Sequence, residues 1–457
     1  MALSRRSFLI GAGAASAVAL GACSSSGSSS SSSRSSGSGA GSTTTTSTTP
    51  RRAAGELIDP TKPEGTDVLP QIDHVVVVMM ENHSYDNYLG VLGRGDGFTI
   101  GPDGKPTNAC PDANGVPQPA FHMANTCQLD GKPSQSWNAT HQQWNNGAMD
   151  GFVQSASGPV AMGYWTKADL PFYYSLASTF PVCDRWFGSC MGQTYPNRRF
   201  LLAATAQGNT DTDIKTITQF QPPNGTIMEL LNKHSIPWRD YYTDLPTTGL
   251  FLPVFEANTD KIVKIDQFYA DAAAGNLPAF CLVEPNFDHA SEEDSDDIST
   301  GESFVAKVVD AVMHGPGWAK TLLVWLYDEH GGYYDHVAPP PAVPPDAVAP
   351  ILQPGYVAGA YDIYGLRVPA AVVSPYARPS YVSSVVHDHT SILKLIETKF
   401  NLPALTNRDG AADDLLDCLD LTSAPAFLTP PTLSPPLNPS IDTPLCTAPG
   451  PVPNPNG

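Results

Sequence analysis

Charge is scarce in this chain, and positive charge scarcest. Of 457 residues, 15% are Asp, Glu, Lys or Arg, and 25 basic residues face 45 acidic ones, a formal net charge of −20. Such a balance excludes a nucleic-acid partner held by a basic footprint. It also excludes simple electrostatic docking on anionic lipid. The apolar stretch that ends at Leu20 is too short to span a bilayer as a helix. Cysteine is sparse, at eight, and its spacings do not fit a zinc site. No internal repeat is visible. What is plentiful is apolar residues, at 41%, and proline, at 44 residues. The first excludes a chain disordered throughout. The length suffices for one large domain or two ordinary ones with a sizeable core.

Both ends read as something other than core. Arg5-Arg6 followed by Phe8-Leu9 has the layout of a twin-arginine export signal, and Leu20-Gly21-Ala22-Cys23 that of a lipobox, with Cys23 lipidated. An ordinary secretory signal with a chance cysteine is the alternative. Residues 24–64 open on a Ser/Thr/Gly-rich run that behaves as a flexible tether. Residues 421–457 are Pro-rich, extended and poor in hydrogen bonds, wrapped on the surface or disordered. The globular part is therefore expected at 65–420. The expected location is the cell surface through the lipid, or secretion. Outside the cytoplasm disulfides are permitted. Cys110–Cys127, Cys183–Cys190 and Cys418–Cys446 are plausible pairs, and Cys281 reads as a buried free thiol.

Between the ends, runs of β-branched and aliphatic residues read as strands buried on both faces. They are Ile72–Met80, Ala279–Val283, Thr321–Tyr327 and Arg367–Val373. Gly301–Met313 and Thr390–Phe400 carry apolar residues at helical spacing. Strands alternating with helices predict an α/β fold with a mainly parallel sheet and helices on both faces. Ligands of such sheets sit beyond the carboxyl ends of the strands. Here one strand ends in Glu81-Asn82 and another in Asp328-Glu329. Carboxylates bunched at one sheet edge repel each other unless a cation neutralises them. Oxygen-only ligands favour one divalent ion of the Ca, Mg or Mn type. Acids that cap helices or face water are the alternative.

Several motifs then occur in order. They are Glu81-Asn82-His83-Ser84-Tyr85-Asp86-Asn87-Tyr88-Leu89-Gly90, His141 to Trp144 with Met149-Asp150-Gly151-Phe152, and Met191-Gly192-Gln193-Thr194-Tyr195-Pro196-Asn197-Arg198. Asp297-Ile298 with Gly301-Glu302, Tyr327-Asp328-Glu329-His330-Gly331-Gly332-Tyr333-Tyr334-Asp335-His336-Val337 and Asp388-His389-Thr390-Ser391 follow. With these the chain, from about Ile72 to Arg408, resembles the bacterial phosphoesterase family. That family contains non-haemolytic phospholipases C, plant non-specific phospholipases C and a group of acid phosphatases. The resemblance implies an alkaline-phosphatase-like fold and a metal held by Glu81, Asn82, Asp328 and Glu329. It also implies a nucleophilic Thr194 that coordinates the same metal and forms a phospho-Thr intermediate. Metal coordination is one way to activate a poor hydroxyl nucleophile. Helix-start N–H groups after Thr194, with Asn197 or Arg198, are expected to cradle phosphate. Thr194 as a helix cap is the competing reading. His336 is expected either as phosphate ligand or general acid, or as a loop hydrogen-bonder. His389 either caps, fixes an active-site acid or does chemistry, and His141 is a further candidate.

Two departures stand out. Gln135 occupies the place of a family histidine before Ser136-Trp137, and residues 291–296 lack the His-Pro-Pro that many members carry. Gln135 cannot shuttle a proton at neutral pH. An acid such as Glu293 would serve if its pKa were raised. Otherwise the stretch binds a second cation or is a solvated loop, the reading preferred from composition. The expected activity is phosphoester hydrolysis on a phospholipid or small-molecule substrate. A non-catalytic surface lipoprotein is the alternative, and a sulfatase- or phosphomutase-like enzyme fits the motifs poorly.

Overall fold

The structure is a computed structural model that describes residues 51–128, 132–214 and 221–452. The signal, Cys23 and residues 24–50 lie outside the described residues. Twelve strands follow one another among the described residues. β1 is His74–Met80, and β2 (Ala109–Pro111), β3 (Pro117–Pro119), β4 (Phe121–His122) and β5 (Gly163–Tyr164) form two small ribbons. Next come β6 (Val182–Cys183), β7 (Trp238–Tyr242), β8 (Ile262–Lys264), β9 (Phe280–Glu284), β10 (Thr321–Tyr327), β11 (Ala370–Val373) and β12 (Val382–Ser383). Eight of them form the main sheet in the order β12-β6-β11-β10-β1-β9-β7-β8. β11 runs antiparallel to both of its neighbours, and the other pairings are parallel. The fold is therefore α/β with a mainly parallel sheet.

Continuous apolar sequence explains the centre. Every residue of β10 is buried, as is β1 from Val75 onward, so both faces are covered. A strand buried on both faces needs no polar alternation. The helix Ile298–Met313 packs along β10, and Thr390–Phe400 packs on Thr194–Ala203. Among the described residues no helix is long and apolar enough to cross a membrane.

Three expectations change. Residues 51–64 are not tether. Arg52 is buried and bonded to the buried Glu397 carboxylate, and Gly55 N–H donates to Ala404 O at 2.8 Å. A buried ion pair of this kind fixes its segment, because either charge left alone would be costly. Residues 421–452 of the tail are wrapped on the surface without helix or strand, yet they are tied down. Phe427 packs against Phe180 with its ring tilted, Asn438 is buried and donates to Ser299 Oγ at 3.1 Å, and Cys446 is bonded to Cys127. That Cys127–Cys446 disulfide replaces the three expected pairs. Cys110, Cys183, Cys190, Cys281 and Cys418 are buried free thiols, and Cys418 hydrogen-bonds with Cys183.

The acidic stretch is solvated only in part, with Ser295 exposed and its first two residues inside the fold. Ser291 and Glu292 are fully buried. The hydroxyls of Tyr88 and Tyr327 donate to one Glu292 oxygen and that of Tyr173 to the other, at 2.8 Å for Tyr88 and 2.7 Å for Tyr173. Gly301 leaves room for this side chain, because a Cβ there would lie 2.2 Å from Glu292 Cγ. Burial pushes the Glu292 carboxyl up to about 8 although the three hydroxyls favour its charge. A carboxyl whose pKa rises on folding stabilises below its ordinary value, and that stability is lost as pH rises through about 8. Glu292→Gln removes the titration. The melting temperature of wild type relative to this variant should fall between pH 5 and pH 9, measured by thermal scans in matched buffers. A constant difference would show that Glu292 does not titrate on unfolding.

Candidate active site

The strand ends build the site by register. Met80 pairs with Tyr327 across β1 and β10, so the next residues, Glu81 and Asp328, emerge side by side at one edge. Asp328 N–H donates to Met80 O at 3.1 Å, which locks that step. β9, on the other side of β1, ends in Glu284. Asn82 takes φ +74°, a left-handed conformation that Asn tolerates. Its amide reaches between the acids. With nitrogen turned toward them it donates to Glu329 Oε1 at 2.6 Å and Asp328 Oδ1 at 3.0 Å. The opposite rotamer presents oxygen instead.

The turn after Glu329 has no slack. Gly331 N–H donates to Glu329 Oε2 at 2.8 Å, with φ +70°. A Cβ at Gly331 would meet Asn82 O at 1.9 Å. Left-handed strain alone costs about 1–2 kcal/mol, and a backbone clash adds to it. Gly331→Ala is expected to lower stability by about 2 kcal/mol or more and to misplace Glu329. Denaturant unfolding paired with turnover checks this, and an unchanged midpoint would contradict it.

Thr194 opens the helix Thr194–Ala203, and Gln193, not Thr194, is its N-cap. Thr194 is 4% exposed, and its hydroxyl has no hydrogen-bond partner among the described residues. It therefore does not cap the helix. Three bonds from the Asn197 amide nitrogen, to Gly192 O at 3.0 Å, Gln193 O at 3.1 Å and Cys190 O at 3.4 Å, fix the turn that carries Thr194. Asn197 is thus occupied by its own loop. The helix start offers little to phosphate, because Tyr195 N–H donates to Thr212 Oγ1 and Pro196 has no N–H.

Arg198, one turn on, is buried. Its Nε donates to Asp328 Oδ2 at 2.9 Å, and its guanidinium also reaches Glu284 Oε2 and Thr247 Oγ1, both at 3.0 Å. These acids keep it charged against the cost of burial. Glu81 lies near enough to act on Arg198, Asp328, Glu329 and Glu284. Asp240 on β7 faces Glu284. Five buried carboxyls thus meet one guanidinium. Burial pushes Asp328 up to about 7 and Asp240 up to about 8. Glu329 is raised as well, by burial first and by Asp328 next. Such an excess is stable only with protons or a cation among the acids. The oxygen-only donors fit a hard divalent ion.

Two tighter clusters of three ligand-type atoms occur among the described residues, and the Glu81–Asp328–Glu329 trio is not one of them. One is the Cys127–Cys446 disulfide with Asp297. The other is Asp86, Asp335 and His336, already neutralised by Arg367, which donates to Asp335 Oδ1 at 2.8 Å and Asp86 Oδ1 at 3.1 Å.

His336 belongs to that second network. Its Nδ1 is 2.6 Å from Asp86 and its Nε2 3.1 Å from Asp96. Burial opposes its charge, but the two carboxylates raise the imidazole to about 10, so it is a lasting cation in an ion-pair network. His389 has Nε2 2.7 Å from Asp328 O and accepts from Trp186 at Nδ1, and burial lowers it to about 4. Neutral and fixed, it holds the backbone of an acid. His141 lies on Trp137 with Nδ1 2.7 Å from the Trp137 carbonyl. Gln135 accepts from Thr140 through its carbonyl at 3.2 Å, and Glu293 pairs with Lys132 at 3.0 Å. Glu284, Asp240 and His330 were not among the expected site residues. His330 lies 2.7 Å from Gln143 Oε1, and burial lowers it to about 3. Glu284 had a visible signal, an acid ending a buried run beside β1. Asp240 had none, because it sits inside the polar strand Trp-Arg-Asp-Tyr-Tyr.

Comparison with known proteins places the chain in a family. The family model described as the Phosphoesterase family matches residues 72–403. Phospholipase C A of Mycobacterium tuberculosis is 31% identical over 432 residues, covering 83% of this chain and 81% of that protein. Non-specific phospholipase C6 of Arabidopsis thaliana is 33% identical over 403 residues, covering 79% and 75%. Among solved structures, a protein in the alkaline phosphatase superfamily from Vibrio parahaemolyticus aligns over 79% of this chain and 75% of that chain. Its identity is 10% and the TM-score 0.41, a likeness too slight to argue from. The chain belongs to the Phosphoesterase family and is a hydrolase of phosphoester bonds.

Proposed function

We propose that this chain is a phospholipase C-type phosphodiesterase, with Thr194 as nucleophile and a divalent ion held by Glu81, Asn82, Asp328 and Glu329. The observation that carries the reading is the Arg198–Asp328 bond of 2.9 Å, which ties the helix of Thr194 to the ligand cluster. The relatives named phospholipase C, a bacterial and a plant protein, support the substrate class. When bound, the ion supplies Lewis-acid charge to the hydroxyl and the phosphate oxygens. Thr194 Oγ attacks phosphorus as the bond to the diacylglycerol oxygen breaks in line. That oxygen leaves with a proton, and the headgroup phosphate stays on Thr194. Water then breaks the Thr–phosphate bond, which releases the phosphorylated headgroup and restores the hydroxyl. His330, His336 and His389 have both ring nitrogens engaged, so none is assigned the proton. Export by the twin-arginine route and anchoring at Cys23 belong to the same proposal, on the motifs alone.

The test is metal analysis of the purified protein with nitrophenyl mono- and diesters and phosphatidylcholine as substrates. Turnover of diester and phosphatidylcholine is expected. Turnover of the monoester alone would replace this reading with an acid phosphatase.

A further inference from the structure

The segment 338–360 carries a single charged side chain, Asp346, in a chain where 15% of residues are charged. Asp346 is itself occupied, accepting from Thr205 Oγ1 at 2.7 Å. Yet four large apolar residues of the segment face water: Val348 at 40% exposure, Ile351 at 52%, Leu352 at 38% and Val357 at 45%. Single exposed apolar residues are ordinary, but a cluster marks an interaction surface.

The base of this loop is held firmly. Ile351 N–H donates to Gly208 O at 2.8 Å, and Thr210 Oγ1 donates to Ile351 O at 3.2 Å. Val357 N–H donates to Asn138 Oδ1 at 2.9 Å, and Tyr356 donates to Asp211. The exposed side chains therefore project from a built support. That support leads to the nucleophile. Thr212 N–H donates to Gln193 Oε1 at 2.7 Å, and Tyr195 N–H donates to Thr212 Oγ1 at 3.4 Å, one residue to either side of Thr194.

We infer that residues 348–357 form the surface by which the enzyme enters the apolar layer of a phospholipid bilayer, bringing the phosphodiester beneath the headgroups to Thr194. This rests on the phospholipase reading above. A lipid surface is the occupant that the charge selects. With net charge −20 the protein gains nothing from anionic headgroups, so attachment must come from apolar insertion. Binding should be insensitive to salt and need no anionic lipid.

The test uses the full chain with Cys23→Ser, so that no attached lipid contributes, with and without Ile351→Asp/Leu352→Asp. Both sites are exposed and outside the catalytic cluster. Cosedimentation with phosphatidylcholine vesicles is measured beside hydrolysis of vesicular phosphatidylcholine and of a soluble nitrophenyl phosphocholine diester. The double variant is expected to lose at least tenfold in vesicle binding and in vesicular turnover, with soluble turnover within twofold. Equal vesicle binding by both proteins, or none by the parent, overturns the inference. Equal loss on the soluble diester overturns it too, because the loop would then act on the site itself. If the parent hydrolyses neither substrate, the phospholipase reading fails, and vesicle binding still decides the role of the loop.

Discussion

Thr194→Ala is expected to reduce phosphoester turnover by about 10⁴-fold or more with thermal stability nearly unchanged. The two halves follow from different observations. Removal of the only atom proposed to attack phosphorus leaves no covalent route. The fold, however, makes little use of that atom. The cap of the helix is Gln193, the Thr194 hydroxyl bonds to no described residue, and alanine is a good helix former. Asn197 continues to hold the loop from its own side chain. Thr194→Ser keeps the hydroxyl and should retain measurable turnover. Steady-state rates, melting temperature and bound metal are compared across the three proteins. If the alanine variant kept wild-type turnover at equal metal content, Thr194 would not be the nucleophile.

The second large effect is on the ion. Chelation is expected to lower turnover by about 100-fold or more, with recovery on adding back one of Ca²⁺, Mg²⁺ or Mn²⁺. The same addition should raise the melting temperature, because a ligand that binds only the folded state at 100 times its Kd stabilises by about 2.7 kcal/mol. The pH dependence has a definite sign. Without an ion, Asp328 has its pKa raised by folding, so its contribution is present below the ordinary value and is lost as pH rises through about 7. An ion needs the deprotonated carboxylates and is displaced by protons. The thermal shift on adding the ion should therefore be larger at pH 8 than at pH 5. A shift equal at both pH values would place the ion elsewhere, and full turnover after exhaustive chelation would refute the proposed ligand set.

The sheet was legible where burial writes continuous apolar sequence. Thr321–Tyr327 and Thr390–Phe400 have the expected bounds, and β1 and β9 differ from expectation by one or two residues at their ends. β11 starts at Ala370 rather than Arg367, because Arg367 pairs instead with Phe187 in an isolated antiparallel bridge and Val368 N–H donates to Trp186 O. β7 escaped notice because Arg239 and Asp240 break its apolar run; one oxygen of the buried Asp240 accepts from the N–H and hydroxyl of Thr248, eight residues on. Acids at strand ends could be read singly, but their register could not. The rest depended on partners remote in sequence. Glu292 is inside because Tyr88, Tyr173 and Tyr327 converge on it, and no local pattern announces that. His336 sits in a conspicuous motif, yet what occupies it are Asp86 and Asp96, some 250 and 240 positions away. The disulfide joins cysteines 319 residues apart, where spacing carries no information.

That disulfide also settles how the molecule bears load. Tension applied at the two ends passes from Cys127 to Cys446 through one covalent bond, so nothing enclosed between them is stretched. β1 precedes Cys127 and lies in the path of the force. Each of its residues from His74 to Met80 is paired with β10, and Val75 to Val78 also with β9, and both neighbours lie inside the shielded loop. β1 can leave only by sliding lengthwise between them, which strains its rungs together rather than one after another. The contacts of residues 51–68 with residues 397–410 stand ahead of β1 in that path, and a pull strong enough to pass them and dislodge β1 would carry Glu81 and Asn82 out of the acid cluster.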